Sequence, residues 1–190
     1  MDIRSHYLAD LSSAEIAAVA GSAVLVLPVG AVEQHGATLP VGTDILVSTQ
    51  IAARAAAGPA DVPVLVAPGL PYGSSHHHLP LAGTLSLRST TFLAVLADLL
   101  ASAAATGFRA IVLWNGHGGN DDLIRQAARD AVLEHEIAVA AASYWTVGGD
   151  RLRELAHEAG IETVPGHAGA FEAALTLALG AAHADRPPST

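Results

Sequence analysis

Residues 23–44 read AVLVLPVGAVEQHGATLPVGTD. The first seven form a short apolar run closed by Gly30, which suits a strand buried on both faces. The remainder puts Glu33, His35 and Asp44 within twelve residues, among Gly, Pro and small apolar side chains. A helix then follows over TDILVSTQIAARAAA (43–57), with Thr43 as its predicted N-cap. Strand, loop and helix in this order open an α/β sheet, in which ligands sit beyond the carboxyl ends of the strands. Burying a charge is costly unless it is paired or binds a metal. The stretch therefore raises a fold and a metal site together.

The pattern repeats along the chain. Ser12 and Glu15 are spaced as a capping box, predicting a first helix near 12–20. VPVLVAP (62–68), RAIVLW (109–114) and IAVAAAS (137–143) read as three further strands. Between them, residues 89–107 predict a helix from Ser89 to Gly107, and Asn120 caps one near 121–134. GDRLRELAHEAG (149–160) and AGAFEAALTLALG (168–180) predict two more, and the tail 184–190 is expected to fray. Four unalternating apolar strands separated by helices imply a mainly parallel sheet between helical layers, and one domain over 1–190. Right-handed crossovers place all strand C-terminal ends on one edge.

Composition narrows the function. The chain has 190 residues, 51% of them hydrophobic and 14% charged, which fits a compact globule rather than disorder. Its net charge is −9, its nine basic residues are all Arg, and they are scattered, so no nucleic-acid stripe is present. No run reaches the ~18 uncharged apolar residues of a membrane span. The N-terminus lacks the pattern of a secretory signal, so a cytoplasmic location is expected. With no Cys, any metal must be held by His, Asp and Glu.

The loops after the strands carry those residues. The first brings Glu33 and His35, which point the same way if extended, and ends at Asp44. The second is PYGSSHHHLPLAGT (71–84), the third NGHGGN (115–120), and the last PGHAGAFE (165–172). Glu33, His35, Asp44 and His117 make an oxygen and nitrogen ligand set suited to Zn²⁺, Mn²⁺ or Fe²⁺. Glu172 gives a fifth ligand, enough for two ions if one carboxylate bridges; the plainer reading of Glu172 is a carboxylate at a helix N-terminus. Two ions about 3.5–4 Å apart can ionise a shared water and polarise a carbonyl. Ser74 and its neighbouring glycines are placed to donate to such a carbonyl. Trp114 ends a buried strand and reads as core.

Four segments, VGAVEQHGATLPVGTD, YGSSHHHLPLAGTLSL, WNGHGGN and GHAGAFE, resemble in order the signature segments of the creatininase family. The resemblance implies a three-layer α/β/α sandwich, a binuclear metal centre and hydrolysis of non-peptide or unusual amide C–N bonds. Glu33 and His117 would hold one ion, His35 the other, and Asp44 would bridge them. Some members place a carboxylate just after the third-motif His. This chain has glycine there, and its NGHGGN resembles the branch of the family that uses a later Glu instead, which the resemblance places at Glu172. His167 matches a proton-shuttling His; of His76–His78 only His78 matches a motif His and is expected near the pocket; and Trp145 is positioned to cover it. The implied substrate is a small amide such as a creatinine-like lactam or a formamide, and the implied assembly a homo-oligomer, often a hexamer. Two alternatives stay open: a peptidase trimming a modified precursor peptide, or a shortened relative that binds metal without turnover. The second is suggested by departures from the family pattern, with His77 for a Glu, Ala82 for a Pro and Ala173-Ala174 after Glu172.

Overall fold

The computed structural model describes residues 4–180. In chain order it holds α1 (Ser13–Val19), β1 (Val24–Val29), α2 (Thr43–Ala56), β2 (Val64–Val66), α3 (Ser89–Thr106), β3 (Ala110–Asn115), α4 (Asp121–Glu134), β4 (Ala138–Ser143), α5 (Tyr144–Glu158) and α6 (Ala170–Ala178). The strands form one parallel sheet in the order β2-β1-β3-β4. Val24 lies opposite both Val64 and Ala110, and Ala110 lies opposite Ala138. The tail at 184–190 and His183 lie outside the described residues.

The period of two along each strand sorts its side chains into two layers. Leu25, Leu27, Val29, Leu65, Ile111 and Leu113 face α1, α3 and α4, where Phe92, Leu96, Leu100 and Ile124 meet them. Val26, Val64, Val66 and Trp114 face the opposite layer, where α2 supplies Ala52 and Ala56. Trp114, Trp145 and Ile51 also pack with Val47, Tyr144 and Phe171, which brings α5 and α6 into that layer. The result is the three-layer α/β/α sandwich around a parallel sheet that the motifs implied, with Trp114 in its core. β4 departs from the expectation of strands buried on both faces. It is an edge, and Ala138 and Ala140 are exposed. α3 is long and apolar enough to cross a membrane by length and composition alone. Asp98 interrupts it, and its Phe92, Leu96 and Leu100 stripe is committed to the core.

Element ends differ from the sequence reading for local reasons. The capping box of Ser12 and Glu15 forms as predicted. Gly42 rather than Thr43 is the N-cap of α2, because the Thr43 hydroxyl donates to Pro40 O at 2.7 Å. Asn120 occupies the N-cap position of α4, but its side chain is engaged elsewhere and makes no capping bond. α5 begins at Tyr144, earlier than predicted, and breaks helical geometry at Gly149, whose φ is +52°.

Two glycines bring the strand-end loops against the start of α2. A Cβ on Gly30 would collide with the backbone of Asp44 and Ile45, and one on Gly116 with the Asp44 carbonyl. Their bare Cα atoms let Asp44 lie beneath both loops. Gly116→Ala is expected to displace α2 and cost about 1–3 kcal/mol in chemical denaturation. Gly118→Ala, at a position with nothing within 4 Å, should unfold like the wild type.

Candidate metal centre

The ligand candidates converge from the loops after β1 and β3 and from the first turns of α2 and α6. Glu33 and His35 follow β1, Asp44 opens α2, His117 follows β3, and Glu172 lies in the first turn of α6. Their exposures are 1, 1, 3, 4 and 5% in the order Glu33, His35, Asp44, His117, Glu172. His35 Nε2 lies 3.1 Å from Asp44 Oδ1 and 3.8 Å from Glu172 Oε1. His117 Nδ1 lies 3.0 Å from Asp44 Oδ2 and 3.2 Å from Glu33 Oε1. Asp44 therefore gives one oxygen to each of two ligand groups, as a bridging carboxylate would.

The far side of each imidazole is already occupied. His35 Nδ1 donates to Glu33 O at 3.0 Å, and His117 Nε2 donates to Ser74 O at 3.2 Å, with Ser75 Oγ at 3.1 Å. A backbone carbonyl thus fixes each tautomer and leaves the opposite nitrogen facing Asp44, which is how metal-ligating histidines are oriented. Glu33 Oε2 is buried and accepts no hydrogen bond, and Asp44 Oδ2 is buried with only His117 Nδ1 within reach. Three buried carboxylates against two imidazoles leave the pocket short of positive charge even with both rings protonated. The donor set, its geometry and its orphaned oxygen fit divalent cations.

In the absence of metal the rings take up protons instead. Burial works against charge on His35, but hydrogen bonds to Asp44 and Glu172 and the Asp44 charge outweigh it and push its pKa up to about 10. At His117, burial is likewise outweighed by Asp44 and Glu33, and its pKa also rises to about 10. Burial would raise the Glu33 and Asp44 pKa values, yet the imidazole contacts hold both below their ordinary range. Burial, with Glu172 and Asp44 nearby, pushes the Tyr144 phenol up and keeps it neutral.

A cleft of about 390 Å³ opens above these ligands, lined by Glu33, Asp44, His117 and Glu172 and by His77, His78, Trp145 and His167. Trp145 forms a wall, its ring edge-on to Tyr144 at 4.8 Å. Gly36 N donates to Gln34 Oε1, so the Gln34 amide nitrogen faces His78 Nδ1 at 3.1 Å and His167 Nε2 at 2.7 Å. Both of those ring nitrogens accept, which places the ring protons on His78 Nε2 and His167 Nδ1. These atoms lie 3.9 and 3.6 Å from Glu33 Oε1. Partial burial and the neighbouring imidazoles lower the His78 pKa despite Glu33.

Most of the residues singled out in the sequence meet here; Ser74 does not. Its hydroxyl pairs with Ser89 Oγ at 3.2 Å, away from the cleft, and its contribution is the carbonyl that orients His117. Glu172 lies in the first turn of α6, as its plainer reading has it, with one oxygen facing His35 and the other accepting from Ala168 N just before that helix. The sequence expectation that only His78 of the triplet reaches the pocket is corrected, since His77 also lines it. Gln34 and Ser75 carried no chemical signal of their own; a polar residue between two ligand candidates, and a Ser beside a His run, were the only hints.

Asn115 and Asn120 hold the loops together. Asn115 grips both backbone groups of His117, accepting from its N at 3.1 Å and donating to its O at 2.7 Å. Asn120 accepts from Ser74 N and donates to Gly30 O, each at 3.0 Å, which links the loops after β1, β2 and β3.

A family model described as creatininase (creatinine amidohydrolase) matches residues 9–186. The chain belongs to the creatininase family. It is 33% identical to the creatinine amidohydrolase of Pseudomonas putida over 193 residues, covering 93% of this chain and 72% of that protein. Over 121 residues it is 36% identical to the mycofactocin precursor peptide peptidase of Mycobacterium tuberculosis, covering 56% of this chain and 48% of the peptidase. It also resembles a solved mutant creatininase complexed with creatine, at 33% identity and TM-score 0.80 over 93% of this chain and 73% of that one. A manganese creatininase superposes with TM-score 0.83 at 32% identity, over 98% and 80%. As a creatininase-family amidohydrolase, the chain is a hydrolase acting on amide C–N bonds other than peptide bonds.

The raised pKa values of His35 and His117 carry a sign for the metal-free protein. Their stabilisation is complete below the unfolded value near 6.5 and disappears as the pH rises through about 10. The melting temperature of chelator-treated protein is therefore expected to fall between those pH values. A melting temperature that is flat or rising over that range would contradict the pairing with Asp44.

Proposed function

We propose that this chain hydrolyses the C–N bond of a small cyclic or linear amide, a creatinine-like lactam or a formamide. Two divalent ions would be held, one by Glu33, Asp44 and His117, the other by His35, Asp44 and Glu172. The observation that carries the reading is the pair of carbonyl-fixed imidazoles turned onto opposite oxygens of Asp44. Mixed imidazole and carboxylate donors suit Zn²⁺ or Mn²⁺, and Fe²⁺ is also accommodated. When bound, such ions supply a water ionised near neutral pH and a Lewis acid for the amide oxygen.

The chain's own residues do the rest. Asp44 and the glycine-packed start of α2 set the distance between the two ligand groups. His167 stands at the rim with its side chain 34% exposed and its Nδ1 proton turned inward toward Glu33. It is placed to carry a proton to the leaving nitrogen, which departs far better as a neutral amine. Trp145 forms one wall of the cleft, whose volume lies in the range of small-molecule sites. A homo-oligomer, hexameric by family resemblance, belongs to the same reading. The similarity to the mycofactocin peptidase supports a second reading, trimming of a modified peptide, for which the same centre would serve.

Elemental analysis tests the centre. Wild-type protein is expected to carry about two ions per chain, Glu172→Ala about one, and Asp44→Ala fewer still. His167→Ala should keep its metal and lose about 10²–10⁴-fold in kcat on whichever amide of a lactam, formamide and peptide panel the wild type cleaves. Wild-type protein without metal would overturn the reading; full loading with no turnover of any amide would leave a metal-binding relative that is not a catalyst.

A further inference from the structure

His77 lines the cleft and has no part in the reading above. It is the middle residue of a one-turn 3-10 helix, His76–His78, which is tied down on both sides. His76 Nδ1 meets Ser86 Oγ at 3.0 Å, Ser75 N donates to the same oxygen at 2.8 Å, and His78 accepts from the Gln34 amide. Among the described residues His77 alone of the three makes no side-chain hydrogen bond. Its ring lies parallel to that of His117, 5° apart with centroids separated by 5.8 Å. One ligand atom each of Glu33, His77 and His117 falls within a mutual distance of 4.8 Å. Glu33, a member of this group, has one buried carboxylate oxygen, Oε2, without a partner.

We propose that His77 is a fourth protein ligand of the ion held by Glu33, Asp44 and His117. The inference rests on the metal-centre reading of the preceding section. The family pattern has a Glu at this position, so the imidazole is a feature of this chain. An ion with three protein ligands keeps a coordination position open. His77 stands where it can take that position, on a turn whose neighbours fix it without engaging its own ring. Exchanging an oxygen donor for an imidazole favours Zn²⁺ over Mn²⁺ at this ion. It also leaves the ion at His35, Asp44 and Glu172 as the more open of the two.

The test uses chelator-stripped full chain reloaded with Zn²⁺, Mn²⁺ or Co²⁺, titrated against a competing chromophoric chelator. Circular dichroism confirms the fold of each variant. His77→Ala is expected to bind one of its two Zn²⁺ ions about tenfold or more weakly, lose preference for Zn²⁺ over Mn²⁺ at that ion, and change the visible spectrum of the Co²⁺ form. His76→Ala, which frees the turn from Ser86 without removing a cleft residue, should keep wild-type affinity and spectrum. Unchanged affinities and spectrum in His77→Ala would overturn the assignment while leaving the binuclear centre intact. Equal losses in His76→Ala and His77→Ala would also overturn it, since the turn's order and not the imidazole would then be responsible. Wild-type protein that takes up no more metal than Asp44→Ala would remove the centre itself, and His77 as its ligand with it.

Discussion

A carboxylate buried at 3% exposure between two buried imidazoles is the constraint around which this molecule is arranged. Asp44 cannot be left unpaired there, because an uncompensated buried charge costs several kcal/mol, on the order of 3–5. Its position follows from backbone rather than from other charges. Gly30 and Gly116 have no side chain, so two strand-end loops close over the first turn of α2. Glu33 and His35 arrive from one loop and His117 from the other. The sheet supplies the common edge, and the glycines supply the approach.

Neutral amides keep this charged cluster in order. Asn115 holds His117 by its backbone, Asn120 ties three loops together, and Gln34 sets the proton positions of His78 and His167. An amide donates and accepts without changing charge, so these links hold whether the ligands are protonated or bound to metal. The chemistry is thereby separated from the scaffold: titrating and ligating groups face the cleft, and the groups that position them do not titrate.

Much of this was legible in the sequence. Unalternating apolar strands marked a parallel sheet, and His and carboxylate residues gathered in the loops after strands marked its working edge. Glu33, His35, Asp44, His117 and Glu172 could be read as one set because each sits in a loop after a strand or at the start of the helix that follows one. What could not be read were facts of orientation. Nothing local says that the Ser74 hydroxyl turns to Ser89 while its carbonyl serves His117, or that Asn120 gives up its capping bond to join the loops after β1 and β2. His77 was hidden for a similar reason. In a run of three identical residues, only the turn they form decides which ones face inward.

The ligand set has a consequence for how the chain stays folded. Its members reach from Glu33 near the start of the sheet to Glu172 in the last helix, and the sequence contains no cysteine. An ion shared among them would close loops that span most of the polypeptide, restricting the unfolded chain in the way that long-range covalent bridges do elsewhere. Coordination here would be a reversible staple: its strength would follow the metal supply rather than redox conditions, and one component would both join distant parts of the fold and form the floor of the cleft.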